Sequence, residues 1–239
     1  MGKLFKYRVR NKYTDAIFTT GCLHFSHRYD FNDPYDCLLL TDSEQSLEYL
    51  YAPPKNDVPN QLYSLKFGGR LIRAVYQKVF DQLEICCFSI DGCQMQMWSH
   101  YANYHKGICL EFDEDLLRND NMRGYKVNYT SEQIKYNTFF PEEFSAEHLK
   151  FLYTKHESWA YEKEVRIFHK TIEGSQGNYP FDKKALTGIC FGTKCSMRTI
   201  SHYKRLCLEN GFNHVKFYMM GITDQGHYEL MPRLLKPDK

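Results

Sequence analysis

Apolar residues recur along the chain with two different spacings. At Met197, Ile200, Tyr203 and Cys207 they fall three to four apart, the period of one helix face, and Gly211 stands where such a helix would stop. Apolar residues at positions 144, 149 and 152 predict a second helix. Short runs rich in β-branched, aromatic and cysteine residues predict strands near 4–9, 22–26, 85–89, 107–112, 126–129, 161–168, 186–191 and 215–219. Hairpin-length connections mix with helix-length ones. The pattern therefore predicts an α+β fold, one domain over 1–239, with a mixed and mainly antiparallel sheet flanked by helices. The run YAPPKNDVPN at 51–60, with three prolines, predicts a loop, and GSQGN at 174–178 a second one.

The alternation of side chains along a strand gives the segment Trp159-Ala-Tyr-Glu162-Lys-Glu164-Val-Arg166-Ile-Phe168 its interest. Residues two apart share a face, so Glu162, Glu164 and Arg166 are predicted on one side and Val165 and Ile167 on the other. Such a face is either a solvated ion-pair ladder or a carboxylate pair in a cleft, where an ionised Glu stabilises a developing cation. A second segment, Met97-Trp-Ser-His-Tyr101 followed by Tyr104, His105 and Gly107, reads as a short helix, a turn and a strand. His100, Tyr101, Tyr104 and His105 line a ring-stacking pocket in one reading; in the other Trp98 and Tyr101 are core. In the third segment, from His24 to Cys37, Asn32-Asp33-Pro34 is a turn signal. Asp33 and Asp36 are too few donors for a hard cation, and His24 and His27, three apart, match no zinc pattern.

Composition narrows the field modestly. With 43% hydrophobic and 25% charged residues this is an ordinary globular chain. A net charge of +2 lacks the basic excess of an electrostatic nucleic-acid binder. Nine cysteines without a C-x-x-C pair point to reduced thiols, and neither an apolar leader nor a run of 18 apolar residues is present, so a soluble cytoplasmic protein that does not enter a membrane is expected. Nineteen Tyr and 17 Phe suit a β-containing core, a stacking pocket or both. Signatures for dinucleotide-binding Gly-rich turns, P-loops and nucleophile elbows are missing.

Lys6-Tyr7-Arg8, Phe25-Ser26, Phe31-Asn32-Asp33-Pro34, Cys87-Phe88-Ser89, Met97-Trp-Ser-His-Tyr101 with His105-Lys-Gly107, and Trp159-x-Tyr161-Glu162-x-Glu164-x-Arg166 occur in this order. Together they resemble the bacterial domain-of-unknown-function family 2971. A basic-aromatic first strand, a short helix ending at Gly21, a second strand with Ser26 and a late E-x-E strand also resemble the ADP-ribosyltransferase layout. That resemblance implies NAD as substrate, no metal, and a macromolecular acceptor, protein or nucleic acid. It implies Glu164 as the catalytic carboxylate and Glu162 as the group that orients or deprotonates the acceptor. Tyr7, Arg8, Ser26, Trp98, His100, Tyr101 and Arg166 would then hold the nucleotide, and the role would be that of a toxin or phage-defence effector. Two alternatives stay open: a metal-dependent nuclease or phosphohydrolase using Asp33, Asp36 and Glu162, and a noncatalytic module that senses a nucleotide or peptide.

Overall fold

The computed structural model describes residues 2–38, 40–41, 80–117, 122–136, 146–223 and 227–236; the predicted loop at 51–60 lies outside them. Nine strands form one open sheet: β1 (Lys3–Arg8), β2 (Ser26–His27), β3 (Leu83–Ser89), β4 (Ile108–Asp113), β5 (Arg123–Lys126), β6 (Glu164–Lys170), β7 (Leu186–Phe191), β8 (Lys216–Ile222) and β9 (Leu230–Leu234). Their order is β9-β8-β7-β4-β1-β3-β6-β5, with β2 beside β3. Every neighbouring pair is antiparallel except β7 and β8. The parallel pair needs a crossover, and a helix supplies it.

Four α-helices are described: α1 (Lys12–Thr20), α2 (Met95–Tyr101), α3 (Glu114–Leu117) and the crossover α4 (Met197–Glu209). The Asn11 side chain accepts the Thr14 N–H at the start of α1, and Gly21, at φ 66°, closes its end in the left-handed conformation that glycine adopts without a Cβ clash. Ser196 caps α4 in the same way. The predicted periodicity of α4 buries Ile200, Tyr203 and Cys207, whereas Met197, on the first turn, is exposed. The helix predicted over 144–152 is instead a 3-10 helix, Ala146–Tyr153. No helix among the described residues is long and apolar enough to cross a membrane.

The sheet has a core on each face. Leu4 packs with Phe18 of α1, Tyr203 of α4 and Phe112 on one side; Tyr7 packs with Trp98, Met97 and Cys109 on the other. The turn after α2 is unusually tight. Asn103, Tyr104 and His105 are all left-handed, and a Cβ on Gly107 would stand 2.3 Å from the Arg8 carbonyl oxygen and 2.9 Å from that of Ala102. Both contacts are backbone, so Gly107→Ala is expected to lower stability by about 1–3 kcal/mol in urea denaturation. An unchanged midpoint would show that the turn relaxes freely.

One irregularity in the sheet opens a cleft. β1 pairs with β4 along its whole length, and β3 with β6 along its whole length, yet β1 and β3 meet only at Phe5↔Ser89. The sheet is thus two half-sheets joined at one residue pair. Farther along β3, Ser26 and His27 of β2 pair with Ile85 and Glu84. Between these two pairings β1 and β3 part, and the Lys6 ammonium spans the split by donating to the Cys87 carbonyl at 2.9 Å.

Candidate functional site

A cavity of about 350 Å³ opens at the split. β1 gives it Lys6 and Tyr7, β3 gives Cys87 and Phe88, and the chain around β2 gives His24 and Ser26. Phe31, Asn32 and Asp36 close another side, and Tyr101, Lys155, Glu162 and Glu164 complete it. Glu164 opens β6 opposite Ser89, the residue that joins the half-sheets, so its carboxylate is delivered to the joint. Its backbone N–H donates to the Tyr129 hydroxyl at 2.8 Å.

The predicted strand over 161–168 is corrected at its start. Residues Glu157–Glu162 form a 3-10 helix, Lys163 turns the chain at φ 45°, and the strand begins at Glu164. The alternation holds from there: Glu164 and Arg166 share a side, while Val165 and Ile167 enter the large core. Glu162 joins them from the helix end rather than along a strand face.

These groups are not a solvated ladder. Arg166 is 0% exposed, Glu162 3%, Glu164 6%, Lys155 6% and Asp36 8%. The Arg166 guanidinium donates to both oxygens of Glu164 at 2.9 and 3.0 Å and to both of Asp36 at 2.8 and 2.7 Å. It also donates to the Leu152 carbonyl at 2.7 Å. Lys155, on the short strand Thr154–His156, places its ammonium 2.7 Å from Glu162, 3.5 Å from Asp36 and 3.6 Å from Glu164. The Tyr101 hydroxyl donates to the other oxygen of Glu162 at 2.6 Å.

Burial opposes ionisation of both glutamates, and their neighbours settle the outcome differently. At Glu164 burial pushes the pKa up, but the Arg166 charge and hydrogen bonds, with Lys155 behind, bring it down to about 2. At Glu162 burial outweighs Lys155 and Tyr101, and the Glu164 charge adds to it, so its pKa is raised. Burial likewise raises the Tyr101 phenol, helped by Glu162, and keeps it a hydrogen-bond donor. The three carboxylates around Lys155 raise that ammonium against the effect of burial.

Tyr7, Ser26, Tyr101, Glu162 and Glu164 therefore line one cavity. The other nucleotide-holding candidates lie elsewhere. Trp98 is fully buried behind Tyr7, its ring 5.3 Å from the Tyr7 ring and its Nε1–H on the Gly92 carbonyl, so it offers no open face for stacking. His100 is exposed, against Tyr161. Arg166 is sealed beneath the cavity by its five hydrogen bonds to Asp36, Glu164 and Leu152. Arg8 follows Leu4 and Lys6 in the alternation and turns toward Tyr203, where burial lowers its pKa and its Nε has no hydrogen-bond partner among the described residues. Asp33 accepts the Tyr35 N–H as a turn residue and lies outside the cavity. Sequence reasoning missed Lys155, and it weighed Asp36 only as a metal ligand. The sole signal for either was the charge itself.

Fold and cleft together define an α+β protein with a split, mainly antiparallel sheet and a buried acidic cluster at the split. Over residues 97–167 the chain matches the family described as Protein of unknown function (DUF2971), and this bears out the family resemblance seen in the sequence. The matched segment holds Tyr101, Lys155, Glu162, Glu164 and Arg166. No curated protein and no solved structure matches the chain.

Proposed function

We propose that the protein is an ADP-ribosyltransferase-like enzyme that cleaves the nicotinamide–ribose bond of NAD and passes ADP-ribose to a protein or nucleic-acid acceptor in the cytoplasm, in a toxin or phage-defence role. One observation carries the reading: two glutamates face one cavity with their acid strengths driven apart, Glu164 down to about 2 and Glu162 upward. Two carboxyl groups tuned in opposite directions suit two roles in glycosyl transfer. Glu164 is the fixed anion beside the ribose C1′, where positive charge builds as the bond to nicotinamide lengthens. Nicotinamide leaves with the electron pair of that bond and becomes neutral. The acceptor's nucleophilic atom forms the new bond to C1′ while Glu162 takes its proton. Tyr7 and Tyr101 give the nicotinamide ring aromatic walls.

The nuclease reading is disfavoured because the Lys155 ammonium stands among Asp36, Glu162 and Glu164, where a metal ion bridging them would have to sit. The sensing reading draws on Arg166 holding both oxygens of Glu164. Incubation with NAD separates the three. Chromatography is expected to show nicotinamide released at a rate that EDTA leaves unchanged, and mass spectrometry to show ADP-ribose on the acceptor. Activity lost to EDTA and restored by Mg²⁺ or Mn²⁺ would favour the metal reading. Intact NAD together with a raised melting temperature would favour sensing.

A further inference from the structure

We infer that the site recognises the nicotinamide–ribose–phosphate unit rather than the whole dinucleotide, with Lys6 holding the phosphate. The inference rests on the NAD-cleaving reading and deepens it. Three observations lead there. The first is charge. Of the cations lining the cavity among the described residues, Lys155 is engaged by three carboxylates, whereas Lys6 is paired with none and meets only the Cys87 carbonyl and the face of Phe88, 5.0 Å from the ring centroid. An ammonium so placed, with two N–H donors left, suits a phosphate.

The second is position. Lys6 stands on one flank of the split and Ser26 on the other, either side of the stretch of β3 that contains Cys87, and His24 lines the same cavity. A hydroxyl and an imidazole are therefore available beside the ammonium. Arg8, the first-strand cation expected to hold the anion, is buried near Tyr203 and does not line the cavity, whereas Lys6 does. The third is size. A cavity of about 350 Å³ lies at the small end of the range for ligand sites, room for one nucleotide. Ring walls, two glutamates and an ammonium with no carboxylate partner among the described residues match a cationic ring, a sugar and a phosphate joined in sequence.

The test is calorimetric titration of the full chain with nicotinamide mononucleotide and with nicotinamide riboside, which differ only by the phosphate. Wild type is expected to bind the mononucleotide about 10-fold or more tightly than the riboside. Lys6→Met should bring that ratio near one, and Lys6→Arg should keep it. Should Lys6→Met not fold, wild type still decides: inorganic phosphate should compete with the mononucleotide and leave the riboside untouched. Equal binding of the two compounds by wild type, or an unchanged ratio in folded Lys6→Met, overturns the inference. If NAD is cleaved while the ratio is one, only this inference falls; if neither compound binds and NAD stays intact, the transferase reading falls with it.

Discussion

Glu164→Gln is expected to slow nicotinamide release from NAD by about 10²–10³-fold while NAD still raises the melting temperature of the variant. Glutamine keeps the shape of the side chain and an oxygen for Arg166, but it removes the charge that an oxocarbenium-like transition state feels. Arg166 retains both oxygens of Asp36 and the Leu152 carbonyl, so the cleft keeps its frame. Single-turnover kinetics and thermal melts on the same sample separate chemistry from binding. A variant that releases nicotinamide at the wild-type rate would remove Glu164 from catalysis. If NAD near a millimolar shifts neither wild type nor variant, the transferase reading should be abandoned, since enzyme substrates bind in the micromolar-to-millimolar span.

The largest stability effect is expected from Arg166→Met, about 3–5 kcal/mol at neutral pH by urea denaturation. Methionine fills much of the space, but among the described residues it leaves the Lys155 ammonium, 3.5 and 3.6 Å away, as the one cation beside the buried Asp36 and Glu164. The pH dependence gives a second check. Glu164 has a folded pKa of about 2, below its ordinary value of 4.5, so its contribution is present above the ordinary value and lost as pH falls through the folded one. Without Arg166 that depression disappears, and the gap between wild type and variant should narrow as pH drops through this window. A gap that stays constant with pH would mean that the variant loses packing rather than charge compensation.

Period and alternation carry the fold a long way because they are local. They place α4, most strands of the sheet, and Glu164 beside Arg166 with Val165 and Ile167 opposite. Taken strictly, the same alternation also puts Arg8 on the Leu4 side, away from Tyr7. What the chain does not announce is where an element breaks. The left-handed turn at Lys163, at a residue that is not glycine, moves Glu162 off the strand with no mark in the sequence. Burial of Trp98 depends on Tyr7, which only tertiary packing brings to it. The Asp36–Arg166 pair spans 130 residues, a partnership that spacing cannot suggest.

The single pairing of Phe5 with Ser89 also bears on how the protein comes to be active. The cleft exists only between two half-sheets, and each half is stitched by its own ladder; Lys6 and Cys87, which face each other across it, are 81 residues apart. Contacts of such high sequence separation close late, because their loop entropy must be overcome before they add stability. The site is therefore among the last features to assemble: until β6 pairs with β3 the chain lacks Glu164 at the joint and the Arg166 that holds Asp36. On the transferase reading, cleavage of NAD would begin only once the two half-sheets have closed on one another.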